Sequence, residues 1–219
     1  MTLQIPESEH WILSNYAASE LSGALILGAR ARQTDDDYIR AQCTWHCHEE
    51  MGHSLLWVGL IQKLGGRPLE VHDKGGDHYY ARAGMPKSDI DLLSFVHVFE
   101  RRVPFHLSQH AARPNIHPLV KELIARLVRD EEMHLAWILK EIKKRVEGGQ
   151  EQEMFASLER HAKIEQEVYE EYLKLLSSQG GDLAEFAEAL REKDRDYDIL
   201  EVIRADVAGR RVPQFKVAV

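Results

Sequence analysis

The spacing of apolar residues constrains the fold of this chain most strongly. Apolar side chains recur every three to four positions along nearly its whole length, which is the period of α-helices that bury one face. No stretch alternates apolar and polar residues between turn signals, as a half-buried strand would. The sequence therefore predicts an all-α protein, with helices at residues 7–33, 36–65, 89–112, 116–148, 151–178 and 182–209.

The connection between the second and third predicted helices is much longer than the others. Residues 65–88 contain five glycines and two prolines, and are numerous enough to run the length of a helical bundle. A long crossover at this point distinguishes one four-helix-bundle topology from a simple up-and-down meander. We expect residues 1–148 to form this bundle as one domain, with residues 149–219 as two additional helices packed on the same domain.

Composition narrows the classes of partner. At 219 residues and 44% hydrophobic content, the chain can bury a sizeable core. Its 28 basic and 36 acidic residues give a net charge of −8, which disfavours binding to nucleic acid or to an anionic membrane. The start has no signal-peptide pattern, and no apolar run reaches the ~18–20 residues that a membrane span needs. We therefore expect a cytoplasmic protein, with Cys43 and Cys47 as reduced thiols.

A pair of potential metal ligands occurs twice in the chain. Glu50 and His53 lie three positions apart, so they share one face of the second helix, and that face becomes apolar towards Trp57. One such pair arises by chance on many surface helices. The same spacing recurs, however, at Glu131 and His134 on the fourth helix. Together these two helices offer four potential ligands.

Two further glutamates complete a possible ligand set. Glu20 on the first helix and Glu100 on the third each lie among small and apolar residues on their own helix face. A buried carboxylate needs a partner, because an unpaired charge is costly to remove from water. A metal ion would be such a partner. A salt bridge to a neighbour such as Arg101, or a face that is in fact exposed, are the alternatives.

The register of the helices supports a shared site. In an antiparallel hairpin, two residues lie at the same height when the turn falls midway between them. The midpoint between Glu20 and Glu50 falls in the turn-forming segment TDDD, and the midpoint between Glu100 and Glu131 falls in RPNIHP. The sequence therefore predicts a dinuclear metal site, which is also the catalytic site, with the ligands Glu20, Glu50, His53, Glu100, Glu131 and His134.

This ligand pattern, followed after helix 2 by the long crossover, resembles the ferritin-like superfamily of non-haem di-iron carboxylate proteins over residues 7–148. The segment DEEMH at 130–134 is similar to the Asp-Glu-x-Arg-His signature of its oxygenase branch, with Met133 in place of the arginine. The resemblance implies a ferritin-like four-helix bundle that holds two iron ions, or a manganese and an iron ion, on the six residues.

Several reactions fit this resemblance. It implies foremost an oxidoreductase that activates dioxygen to oxidise or hydroxylate a small organic substrate, with an external electron donor, in a homodimer. A rubrerythrin-like peroxidase is less favoured, because Val103 stands where those proteins have a second glutamate and no Cys-x-x-Cys is present. Ferritin-like iron oxidation and storage is the other alternative, although additional helices follow the core. Those C-terminal helices could close the bundle, form a dimer surface or cap a substrate channel.

Other residues near the predicted ligands have open roles. Tyr16 could donate a hydrogen bond to the metal cluster or simply pack in the core. His46 and His97 each lie one turn before a predicted ligand, so either could be an additional ligand, a proton carrier or a core histidine. Glu49 and Asp130 directly precede the ligand glutamates and could hold the ligand imidazoles, or face solvent.

Overall fold

The computed structural model describes residues 2–70, 75–195 and 197–209, and all of the regular structure within these ranges is helical. The prediction of an all-α protein is therefore confirmed. None of the helices in this described part is both long and apolar enough to cross a membrane. The helices are α1 (Glu7–Ala31), α2 (Asp37–Lys63), α3 (Gly75–Ala83), α4 (Asp89–Ala111), α5 (Pro118–Arg145), α6 (Glu151–Ser178), α7 (Gly181–Asp194) and α8 (Ile199–Val207).

The chain forms two compact units, which divide between Met85 and Pro86. The first unit contains α1 to α3, and the second contains α4 to α8. The division falls in the segment that the sequence identified as a long crossover. The grouping of residues 1–148 as one ferritin-like bundle stays a prediction.

In the first unit, α1 and α2 form an antiparallel hairpin. The turn between them lies at TDDD, as predicted. Asp36 caps the start of α2, because its side chain accepts hydrogen bonds from the backbone N–H groups of Tyr38 and Ile39. Such a side-chain cap satisfies backbone donors that the first helical turn leaves unpaired. The two helices bury apolar residues such as Leu13 and Trp57 against each other. This hairpin fixes the register of the residues that α1 and α2 present to one another.

In the second unit, α4 and α5 form a corresponding hairpin. Ser88 caps α4 by accepting from the N–H of Asp91, and α5 begins with Pro118, which suits the first helical turn because it lacks an N–H. Helix α6 packs against α4, and α7 and α8 cover further parts of both. The second unit therefore has three helices that support its hairpin.

A π-helical turn, Val146–Gln150, joins α5 to α6. Within it Gly149 has a φ of 87°, in the left-handed region that side chains with a Cβ rarely adopt. A break was expected here, between the predicted helices at 116–148 and 151–178. The positive φ of Gly149 is the physical reason for this break.

Two predicted elements differ from the structure. The helix expected at 182–209 is two helices, α7 and α8, because Asp198 starts a new one by accepting from the N–H groups of Leu200 and Glu201. The crossover at 65–88, in which no helix was predicted, contains the short helix α3. The apolar period alone showed neither the break between α7 and α8 nor the presence of α3.

Candidate metal-binding triads

The first unit brings together Glu20 of α1 with Glu50 and His53 of α2, which we call the first triad. His53 Nδ1 lies 3.9 Å from Glu20 Oε2 and 3.8 Å from Glu50 Oε1. One ligand atom from each of the three residues lies within 4.8 Å of the others. Two ligand atoms that each bind one ion at about 2.0–2.2 Å lie roughly 3–4 Å from one another, which is close to the distances in the first triad. The first triad could therefore hold a metal ion.

The hairpin explains why these three side chains meet. The three-residue spacing places Glu50 and His53 on one face of α2, and that face is directed at α1. One turn along, Ser54 Oγ donates a 2.7 Å hydrogen bond to the carbonyl of Ala17, which ties the two helices at this height. Glu50 and His53 are each only 3% exposed, and Glu20 is half-buried. The register predicted for Glu20 and Glu50 is confirmed within this unit.

Small and aromatic residues surround the first triad. A Cβ atom added to Gly23 of α1 would lie 3.4 Å from Glu50 Oε2, so the glycine leaves room for that carboxylate. Trp57 is fully buried and its indole N–H donates to Glu20 Oε1 over 3.4 Å. Tyr16 packs on Trp57, with 5.2 Å between the ring centroids. Tyr16 therefore packs against the residue that contacts Glu20.

His46 lies beside the first triad. Its Nε2 atom is 3.3 Å from Glu50 Oε1, and the side chain is completely buried. Positions 46, 50 and 53 follow the helical spacing of four and three residues, so all three side chains share one face of α2. The sequence left the role of His46 open, and the structure places it in contact with a predicted ligand.

The second unit brings together Glu100 of α4 with Glu131 and His134 of α5, which we call the second triad. His134 Nδ1 lies 2.9 Å from Glu131 Oε2 and 4.0 Å from Glu100 Oε2. All three side chains are buried. The distance across this hairpin matches the one across the first to within 0.1 Å. The imidazole of His134 therefore lies close to both carboxylates, and the register predicted for Glu100 and Glu131 is confirmed within this unit.

His97 differs from His46 in its surroundings. It is buried on α4, and its Nε2 atom lies 3.7 Å from Asp206 Oδ2 of α8. Burial and, to a smaller extent, Arg101 lower the pKa of His97 to about 3, although Glu100 acts in the opposite direction. Arg101 itself forms a two-bond ion pair with Asp206, over 2.7 and 2.6 Å. The sequence left open a salt bridge between Glu100 and Arg101. In the structure, Arg101 forms its two-bond ion pair with Asp206 of α8.

The acids that precede the ligand glutamates lie nearer to solvent. Asp130 is 24% exposed, and its Oδ2 atom lies 3.7 Å from Arg126 Nε on the same helix. The Nδ1 atom of His134 pairs instead with Glu131, a member of its own triad. Glu49 is half-buried on α2, and Met133, at the place of the signature arginine, is half exposed. These positions favour a surface role for Asp130 and Met133.

A buried ion pair lies two residues beyond Glu100 on α4. Arg102 donates from Nε and Nη2 to the two carboxylate oxygens of Glu165 on α6, over 2.6 and 3.0 Å, and also bonds Asp194 of α7. Its guanidinium lies over the ring of Tyr169, 4.0 Å from the centroid. Burial lowers the pKa of Arg102, but Glu165, Tyr169 and Asp194 together raise it above its ordinary value, so the arginine stays charged.

Sequence reasoning missed this ion pair. Its partners lie on different helices, 63 positions apart, and no local spacing connects them. The one available signal was Arg102 itself, a charged residue close to a predicted buried ligand. The pair connects the helix that carries Glu100 to α6 and α7.

The described residues thus form an all-α fold in which each unit brings together a Glu/Glu/His triad, with Glu20 half-buried and the other five side chains buried. Groups of these glutamates and histidines could hold a metal ion. No protein-family model, no curated protein and no solved structure matches this chain. The resemblance to ferritin-like proteins therefore rests on the sequence motif alone.

Proposed function

We propose that this chain is a non-haem di-iron, or mixed manganese and iron, oxidoreductase that activates dioxygen to oxidise or hydroxylate a small organic substrate. The observation that carries the proposal is the repetition of one buried ligand arrangement. In each unit one helix supplies a glutamate and the next supplies Glu-x-x-His, with closely similar distances across the hairpin. Such a repeat is the pattern of the ferritin-like di-iron proteins.

The chemistry of the ligands suits iron or manganese. Each triad offers two carboxylates and one imidazole, so a divalent ion would balance the two negative charges. Carboxylate oxygen with some imidazole nitrogen is a donor set that accepts Fe(II) and Mn(II). Two buried carboxylates without such a counter-charge would be costly, because each loses its hydration. The residues of both triads therefore fit the metals that the resemblance implies.

The chain would hold the ions and control access to them. We take from the resemblance to the ferritin-like superfamily that both ions belong to one dinuclear centre. Two bound iron(II) ions would supply electrons for the reduction of dioxygen. Buried apolar side chains on the ligand-bearing faces, such as Trp57 and Leu127, would keep water from the site while a substrate bond is presented to it.

Aerobic titration with Fe(II) tests this function against the two alternatives. We expect iron uptake to stop at about two ions per chain, with dioxygen consumed and the protein remaining a small oligomer such as a homodimer in size-exclusion chromatography. Uptake of hundreds of iron ions into a large shell would instead indicate storage. Consumption of hydrogen peroxide in preference to dioxygen would indicate a rubrerythrin-like peroxidase.

A further inference from the structure

We propose that His46 is a seventh protein ligand, which binds through Nε2 an ion that Glu50 Oε1 also binds. This inference deepens the proposed function and rests on it. It adds a third imidazole to the ligand set, and it makes the contributions of α2 and α5 unequal.

The geometry around Glu50 carries the inference. Its Oε1 atom lies 3.3 Å from His46 Nε2 and 3.8 Å from His53 Nδ1, so two imidazole nitrogens approach the same carboxylate oxygen. Two atoms that bind one ion at about 2.0–2.2 Å are separated by roughly 3–4 Å. The contact between His46 and Glu50 falls in this range. His46 is also fully buried, as the ligand residues His53 and Glu50 nearly are.

The position of His46 distinguishes it from other histidines near the triads. On α5 the residue four positions before Glu131 is Leu127, so the second triad has no histidine at the corresponding place. On α4, His97 is buried one turn before Glu100, but its Nε2 atom faces Asp206 of α8. His46 combines the helical spacing with contact to a ligand carboxylate, and His97 contacts a carboxylate of α8 instead.

An additional imidazole would make the two ions bind differently. Nitrogen donors raise the affinity of a site for the later divalent metals, so the position that includes His46 would prefer Fe(II) or Co(II) to Mn(II) more strongly than the other. The two ions should therefore load in separate steps. A mixed manganese and iron centre would place iron at the position that includes His46.

Anaerobic titration with Co(II), followed by visible absorbance, tests the assignment. The wild type should bind two ions in two steps, and His46→Ala should weaken one of them by more than about 100-fold, since losing even an outer partner of a ligand costs about 10- to 100-fold. His48→Ala, which removes an exposed histidine from the same helix, is the matched control and should leave both steps unchanged. Two unchanged steps in a folded His46→Ala variant would overturn the assignment.

Proton NMR of the Co(II)-loaded wild type tests it without any substitution. Each cobalt-bound imidazole gives a strongly shifted N–H resonance that disappears in D₂O. Three such resonances are expected, and two would overturn the role of His46 while leaving the proposed function intact. A wild type that binds no Co(II) at all would overturn the proposed function, and this inference with it.

Discussion

The two helical hairpins present the same three ligand types but are supported in different ways. In the first unit, Trp57 contacts Glu20, and Gly23 and His46 lie beside Glu50, and all three belong to the hairpin itself. In the second unit, ion pairs connect the helix that carries Glu100 to other helices of the same unit. The comparison indicates that the register of each hairpin sets the distance from its histidine to the glutamate across the hairpin, which is 3.9 Å in one and 4.0 Å in the other although the supporting contacts differ.

The support in the second unit comes from two neighbouring arginines on α4. Arg101 pairs with Asp206 of α8, and Arg102 pairs with Glu165 of α6. A buried pair of this kind contributes little net stability, but removing one partner leaves a charge buried and unpaired. The second triad should therefore be more sensitive than the first to substitutions outside its own ligands.

Removing the glutamate of the Glu-x-x-His pair from either triad should have the largest effect. Glu50→Ala and Glu131→Ala each delete a buried carboxylate ligand, so each should weaken at least one ion by more than about 100-fold, beyond the loss expected for an outer partner. Equilibrium dialysis against Fe(II) under anaerobic conditions would measure this. Glu132→Gln, which changes an exposed acid next to Glu131, should retain both ions.

Breaking the buried ion pair of α4 should destabilise the fold. Arg102→Met leaves Glu165 buried without its partner and should lower the free energy of unfolding by about 3–5 kcal/mol. Adding Glu165→Met in the same chain should recover most of that loss, because no buried charge then remains unpaired. Urea denaturation followed by circular dichroism measures both.

The control for this change is a more exposed arginine. Arg126 lies 3.7 Å from Asp130 with 58% of its side chain exposed, so Arg126→Met should cost no more than about 1 kcal/mol. Equal losses for Arg102→Met and Arg126→Met would refute the supporting role of the buried pair.

A pH dependence should follow from His106 in the second unit. Burial lowers its pKa to about 3, with smaller effects in the same direction from His110 and Arg102. The unfolded chain, with an ordinary pKa of 6.5 for this group, binds a proton that the folded chain does not. Stability from His106 is therefore present above about pH 6.5 and is lost as the pH falls towards 3, by up to about 1.4 kcal/mol per pH unit.

His106→Gln should make that dependence shallower. The amide can still pair with the hydroxyl group of Tyr169, which lies 3.3 Å from His106 Nδ1, but it does not titrate. Unfolding free energies between pH 4 and pH 7 would give the two slopes. Identical slopes would mean that His106 is protonated equally in the folded and unfolded chains.

The smallest expected effect is a difference in metal affinity between alanine substitutions at two glycines of the first hairpin. Alanine is favoured over glycine within a helix, so Gly23→Ala and Gly52→Ala should each raise the free energy of unfolding by about 0.5–1 kcal/mol. The added Cβ lies 3.4 Å from Glu50 Oε2 at Gly23, and meets no atom within 4 Å at Gly52. Gly23→Ala alone should therefore weaken metal binding, by a few-fold in a Co(II) titration. Equal affinities would show that the glycine is not needed for the position of Glu50.

The sequence predicted those features that depend on local spacing. The helix period located most helices, and the turns in TDDD and RPNIHP put Glu20 level with Glu50, and Glu100 level with Glu131. Contacts between distant segments could not be read in this way. Arg102 and Glu165 meet only because α6 folds back on α4, and Asp206 reaches Arg101 only because Asp198 starts a separate helix α8.

The roles of individual acids also depended on the fold. Asp130 and Glu131 are adjacent in sequence and both acidic, yet one lies beside Arg126 near solvent and the other is buried with His134. The difference of 100° between neighbouring residues on a helix decides which of them faces the hairpin partner. The sequence predicted Glu131 from its spacing to His134, while the surroundings of Asp130 needed the structure.

The metal content of the wild-type protein tests the central claim most directly. After anaerobic reconstitution with Fe(II) and removal of unbound metal, we expect about two iron ions per chain, with Mössbauer parameters of iron bound by oxygen and nitrogen ligands. A variant carrying both Glu50→Ala and Glu131→Ala should retain almost none. A folded wild type that carries no iron after this treatment would contradict the account.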